Sequence, residues 1–163
     1  MNQSRFEDEL TALLPRLRRF AHALSRHPAD ADDLVQASLE RALRSRDQWQ
    51  PGTRLDSWLY RITRNLWIDT VRARSRRDKF EAPAEEGENV GSDPRGGMEA
   101  NLDLQRVMAA MQRLPEEQRE VVALILIEGF GYRETAEMLD LPIGTVSSRL
   151  VRGRTTLLAM VGE

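Results

Sequence analysis

Residues 132–160, YRETAEMLDLPIGTVSSRLVRGRTTLLAM, carry the pattern that decides the fold. Two stretches with helical apolar spacing, 132–139 and 145–160, flank Asp140-Leu141-Pro142-Ile143-Gly144, a breaker-rich pentapeptide. Two short helices joined by a tight turn are the geometry that offers a second helix to the DNA major groove. In the second stretch Val146, Leu150, Gly153 and Leu157 share one face, and Thr145 is expected to cap its start. Gly153 on that face would allow close packing against the preceding helix. The opposite face carries Ser147, Ser148, Val151, Arg152 and Thr155, with Arg149 and Arg154 at its flanks. Hydroxyls and guanidinium groups bond base edges or phosphates, and an outward valine suits a thymine methyl.

Upstream, Pro115 followed by Glu116 and Glu117 marks a helix start, and REVVALILI continues it to a break at Glu128-Gly129. Leu104, Val107, Met108, Met111 and Leu114 define a helix before it. Residues 80–98 collect Pro, Gly, Glu and Asp without apolar periodicity and read as a linker. The net charge of -2 hides a strong asymmetry: residues 1–80 hold 16 Lys/Arg against 11 Asp/Glu, whereas residues 81–105 hold one against seven. The expected architecture is all-α, with helical domains over 1–79 and 100–163, the second a helix-turn-helix, joined by a flexible acidic linker over 80–99.

In the first half, Phe6, Leu10, Leu13, Leu14, Leu17, Phe20, Ala21 and Leu24 recur at helical spacing, with Pro15 expected to split or kink the segment. Asp30 is a candidate cap for a helix whose apolar stripe is Ala31, Leu34, Val35, Ala42 and Leu43. Its other face carries Asp33, Gln36, Glu40 and Arg44. A helix over 55–77 places Leu55, Trp58, Leu59, Ile62 and Leu66 toward the core and Tyr60, Arg64, Trp67 and Val71 outward. Aromatics interleaved with arginine on an outward face suit bases and phosphates. Arg72, Arg74, Arg76, Arg77 and Lys79 would attract a phosphate backbone or compensate the helix dipole.

The chain has no Cys, which excludes disulfides, thiolate zinc sites and cysteine nucleophiles. His22 and His27 stand five apart without metal-binding company, and neither GxxxxGK nor GxSxG occurs. We expect no cofactor, no metal and no catalysis. The start MNQSRFEDEL has no apolar signal core, and the longest apolar run, 121–127, is too short to span a bilayer. A cytoplasmic protein without membrane insertion is expected.

Three stretches together resemble the extracytoplasmic-function branch of the bacterial sigma-70 family. DADDLVQASLERALR is similar to its polymerase-binding helix, WLYRITRNLWIDTVRARSRR to its promoter-melting and minus-10 segment, and LPEEQREVVALILIEGFGYRETAEMLDLPIGTVSSRLVRGRTTL to its minus-35 domain. The resemblance implies that Asp32, Asp33, Gln36, Glu40, Arg41 and Arg44 meet the clamp helices of the core RNA polymerase large subunit. By itself that stripe would be an ordinary solvated face. The resemblance also implies that residues 47–56 and the helix after them engage the minus-10 non-template strand, where relatives capture a flipped base in a loop pocket. Trp49 and Gln50 are candidates by position, joined by Tyr60, Arg61, Arg64, Trp67, Arg72, Arg74 and Arg76. Trp58 is expected in the core, and Asn65 and Asp69 near the buried face in structural roles. At minus-35 it implies contacts from Thr145, Ser147, Ser148, Arg149, Val151, Arg152 and Thr155.

Further implied partners are promoter DNA, the polymerase flap and an anti-sigma protein. Ser147, Val151, Gly153 and Asp140 depart from common family residues, which bears on minus-35 preference rather than on fold. The competing reading is a stand-alone helix-turn-helix regulator that acts without polymerase.

Overall fold

The computed structural model describes residues 3–79 and 99–162; the linker expected at 80–98 lies outside them. Seven α-helices and no strand are present among the described residues. Helix α1, Gln3–Leu24, runs unbroken through Pro15. Phe6, Leu10, Leu17, Phe20, Ala21 and Leu24 are all buried along it, and this continuous apolar contact outweighs the backbone bond that proline cannot make. Pro15 itself is exposed.

Helix α2, Pro28–Arg44, opens with a proline whose φ is pre-set for a first turn, and His27 is its extended cap residue. Asp30 therefore lies inside the first turn instead of capping it. There it accepts two hydrogen bonds from Arg74, at 2.7 and 2.8 Å. Ala31, Leu34, Val35, Ser38 and Ala42 are buried, whereas Leu43, expected in the same stripe, is 40% exposed. After a 3-10 turn at Arg46–Gln48 comes α3, Leu55–Asp78, which packs across α1 and α2.

The second half contains α4, Glu99–Met111, and α5, Glu116–Val122. Arg119 is only 3% exposed and joins the helix ends around it. Its guanidinium donates to the carbonyls of Met111 (3.0 Å), Leu114 (2.8 Å) and Leu24 (3.0 Å). Carbonyls left over at helix C-termini are satisfied in this way. Helix α5 widens into a π turn at Ala123–Ile127. The Glu128 N–H reaches back to the Ala123 carbonyl and the Phe130 N–H to that of Leu124, with Gly129 at φ +80° between them. This left-handed closure needs a residue without Cβ strain. It redirects Glu128 and Phe130 toward the first half of the chain.

Helix α6, Tyr132–Leu139, ends at Asp140, whose φ of 55° makes it the left-handed C-cap residue. Aspartate tolerates that region better than most side chains, so the turn forms without glycine. Helix α7, Ile143–Val161, begins two residues earlier than the spacing suggested, because Pro142 rather than Thr145 is the residue at its cap. Thr145 instead donates its N–H to the Pro142 carbonyl at 3.0 Å. Val146, Leu150, Gly153 and Leu157 are buried, as their shared face required.

Gly153 packs closely, but against α5 rather than α6. A Cβ there would lie 2.7 Å from Val122 Cγ2 and 3.3 Å from Gln118 Cβ. Gly153→Ala is thus expected to cost about 1–3 kcal/mol by overpacking. Val122→Ala should recover part of that loss in the double variant. Urea denaturation of the four proteins in this cycle measures both effects.

Candidate nucleic-acid interface and partner surfaces

Helix α2 turns one face fully outward. Asp32, Asp33, Gln36, Glu40, Arg41 and Arg44 are all exposed, which leaves both signs of charge open to a partner. Leu43 stands among them, three residues beyond Glu40, as an apolar side chain within a polar ring. Sequence periodicity missed it because Leu43 borders the buried stripe, and one helical position separates the two environments.

Helix α3 departs most from expectation. Tyr60 is 0% exposed and Trp67 6%, so neither points into solvent. Their face is covered by the second half of the chain. The Tyr60 hydroxyl donates to Glu128 Oε1 at 2.6 Å, and its ring stacks on Phe20 at 4.8 Å and meets the Phe130 edge at 5.1 Å. Burial, followed by the adjoining Glu128 carboxylate, holds the phenol well above its ordinary pKa. Arg19 completes the socket with hydrogen bonds of 2.8 and 3.0 Å to the two Glu128 oxygens, and Arg16 approaches within 3.9 Å.

Further along α3, Arg64 pairs with Glu120 at 3.0 and 3.3 Å, and the Trp67 indole N–H donates to Glu116 Oε1 at 2.7 Å. Burial raises the Glu120 pKa although Arg64 opposes that shift. Removing either partner of this pair would strand a buried charge, whereas the intact pair adds little net strength. Arg61 donates to the Glu137 carbonyl, and Arg54 bridges Asp56 and Glu134. Asp56 lies below its usual range because hydrogen bonds from Arg54 and the Ser57 N–H overcome its desolvation. Arg74 is held by Asp30, which is likewise lowered.

The open strip of α3 is therefore different from the one anticipated. It consists of Arg61, Asn65, Asp69, Arg72 and Arg76, all exposed. Asn65 and Asp69 were expected near the buried side. A helix covered on two sides keeps only a narrow wet strip, and its position depends on both coverings. In the preceding loop, Trp49 is 7% exposed and packs on Phe6 at 5.8 Å, so it belongs to the core. Trp58, expected in the core, is half-buried at 6.2 Å from Phe6. Gln50 is exposed, and its carbonyl accepts from both the hydroxyl and the N–H of Thr53 in a turn completed by Gly52 at φ +92°.

On α7 the anticipated reading face is largely free. Val151 is 61% exposed, Ser148, Arg152 and Thr155 are also exposed, and Thr145, Ser147 and Arg149 are half-buried. Arg149 lies 3.9 Å from Glu117. Among the described residues no group of histidine or carboxylate side chains could hold a metal, and no helix is long and apolar enough to cross a membrane.

Known proteins resemble this chain in sequence and in fold. Residues 10–77 match the family model for sigma-70 region 2, and residues 104–157 match that for sigma-70 region 4. The ECF RNA polymerase sigma factor EcfG of Rhodopseudomonas palustris is 39% identical over 94% of this chain and 83% of its own length. SigE of Mycolicibacterium smegmatis, an ECF RNA polymerase sigma factor, is 42% identical over 87% of this chain, which spans 56% of that longer protein. Among solved structures, the sigma factor RpoE in complex with the anti-sigma factor NepR, from Bartonella quintana, superposes with a TM-score of 0.85 at 33% identity over 97% of both chains. CnrH in complex with the cytosolic domain of CnrY superposes at 0.70 with 26% identity, covering 99% of this chain and 90% of its own. With both sigma regions matched in order and the relatives aligned across nearly the whole chain, the protein belongs to the ECF branch of the sigma-70 family and is an RNA polymerase sigma factor that directs promoter-specific transcription.

Proposed function

We propose a division of labour in which residues 1–79 bind core polymerase and the minus-10 element, residues 100–163 bind the minus-35 element, and residues 80–99 connect them. The observation that carries the minus-35 assignment is the exposed face of α7. Val151, at 61% exposure, stands between Ser148 and the Arg152–Thr155 pair, so one apolar and several hydrogen-bonding side chains face outward together. A major-groove helix needs that mixture: guanidinium and hydroxyl groups for phosphates or base edges, and a methyl-bearing side chain for thymine.

The α2 face, Asp32, Asp33, Gln36, Glu40, Arg41 and Arg44 around Leu43, is the surface for the polymerase clamp helices. In the minus-10 segment, the open strip of α3 and the exposed Gln50 meet the non-template strand. Arg61, Arg72 and Arg76 supply charge, while Asn65 supplies an amide able to bond a base edge. In this arrangement Trp49, Tyr60 and Trp67 are taken up by packing and interhelical bonding. The protein acts by binding and positioning rather than by catalysis, within the cytoplasm, and an anti-sigma protein restrains it, as the NepR complex of the Bartonella relative suggests.

Purified protein added to core polymerase should produce run-off transcripts from a pool of promoter fragments that core alone leaves silent; a silent pool would count against the proposal. Arg152→Ala should weaken holoenzyme binding to a minus-35 fragment, and a phosphate contact would also lower the salt-dependence slope by about 1. Fluorescence titration at several salt concentrations reads both quantities. Leu43→Ala should weaken binding to core polymerase by more than about 1 kcal/mol if it anchors that surface. Its exposure means that thermal unfolding should change little, so the two measurements separate a contact from a folding defect.

A further inference from the structure

We infer, on the reading of residues 47–56 as the minus-10 loop, that Phe6 and Glu7 in the early turns of α1 are positioning residues for that loop and for the Gln50 it presents. No helix or strand covers residues 49–54, so the shape of this stretch depends on what holds it. Gln50, Pro51, Gly52, Thr53 and Arg54 are all exposed. Thr53 closes a turn on the Gln50 carbonyl, with its hydroxyl at 2.6 Å and its N–H at 3.1 Å. The inner ties run to α1.

At the start of the loop the Arg46 guanidinium lies 5.5 Å over the Phe6 ring and 3.5 Å from the Glu7 carboxylate. Its Nε also donates to the Leu43 carbonyl near the end of α2, at 3.4 Å. One side chain thus joins α1, α2 and the loop. In the middle, Trp49 is 7% exposed and packs on the same Phe6 ring at 5.8 Å, while Trp58, in the first turn of α3, meets that ring at 6.2 Å. The Trp49 Nε1 is buried and finds no hydrogen-bond partner among the described residues. Packing alone therefore fixes this indole, and Phe6 is central to that packing. At the far end Arg16 of α1 donates to Asp56 Oδ2 at 3.3 Å. Each of these ties lies within residues 3–79.

Gln50 follows Trp49 directly, and consecutive Cα atoms stand about 3.8 Å apart, so a shift of the indole is passed on to the reading side chain. A loop already held in one geometry loses less conformational freedom when a strand binds. It also separates a base that fits from one that does not, because a loosely supported site adapts to both. Phe6 and Glu7 act through Trp49 and Arg46 rather than by touching DNA. Their contribution belongs to discrimination among minus-10 strands and leaves minus-35 binding alone.

Holoenzyme assembled with the full chain is titrated with a single-stranded oligonucleotide, the non-template minus-10 strand of a fragment active in run-off transcription, and with the same bases scrambled. The ratio of the two affinities measures discrimination. Phe6→Leu should lower that ratio by about 3- to 10-fold, the scale of one aromatic pair. Glu7→Gln should lower it by about 2-fold, the scale of an exposed ion pair. Asp8→Asn removes the same charge from the next residue, also exposed, and should leave the ratio unchanged. Affinity for a minus-35 duplex should hold in all three variants, whereas a folding defect would lower both affinities. With Trp58→Phe and Trp67→Phe in the background, Trp49 is the sole tryptophan, and its quenching by acrylamide should rise in Phe6→Leu but not in Asp8→Asn. Gln50→Ala separates two kinds of failure. A ratio that falls in Gln50→Ala but holds in Phe6→Leu and Glu7→Gln overturns the inference alone; a ratio that holds in Gln50→Ala overturns the loop reading and the inference with it. Should Phe6→Leu fail to fold, Glu7→Gln decides: a lowered ratio supports the positioning role, and an unchanged ratio overturns it.

Discussion

A carboxylate cannot be taken out of water without partners, and the placement of Glu128 satisfies that requirement across the two halves of the chain. Tyr60 and Arg19 bond both of its oxygens, with Arg16 nearby. Removing a partner would leave an uncompensated buried charge, a loss of several kcal/mol in comparable sites. The backbone around Glu128 is built to deliver it: the π turn displaces the chain, and Gly129 supplies the left-handed residue that ends the helix. Arg119 ties the same packing from the other side, bonding the end of α1 as well as the end of α4.

From this contact follows the unusual character of α3. One side of the helix lies against α1 and α2, another receives the acids of α5 and α6, and a narrow strip remains wet. Aromatic side chains that look outward when only the first three helices are considered are buried once the second covering is present. The strip that stays wet in this arrangement is correspondingly less aromatic and carries Asn65 and Asp69 between arginines.

Elsewhere the side chains keep the roles that local physics assigns them. The α2 face stays polar and exposed because its other face alone fills the core. Helix α7 buries four residues and presents the rest. Its Gly153 matches Val122 of α5, whose methyl occupies the space where a Cβ would stand. A departure from the common family residue at that position is thus a packing adjustment within the domain, separate from the exposed side chains of α7. Asp140 fits its left-handed turn for a similarly local reason.

What the sequence by itself determined was whatever depends on neighbours three or four residues away. The all-α composition, the breaks around Pro115 and Asp140, the buried face of α7 and the charged face of α2 were all legible, because helical periodicity and turn chemistry are local. Pro15 and Asp30 misled for the complementary reason: a long apolar contact carried α1 through its proline, and Pro28 set the start of α2 ahead of Asp30. Only the tertiary structure decided which of the two apolar faces of α3 had a partner. Nothing within residues 55–78 encodes the approach of Glu116, Glu120 and Glu128 from beyond the linker. Tyr60 and Trp67 are buried and Asn65 and Asp69 exposed, the reverse of what α3 alone suggests, because burial belongs to the assembled chain and not to a single helix.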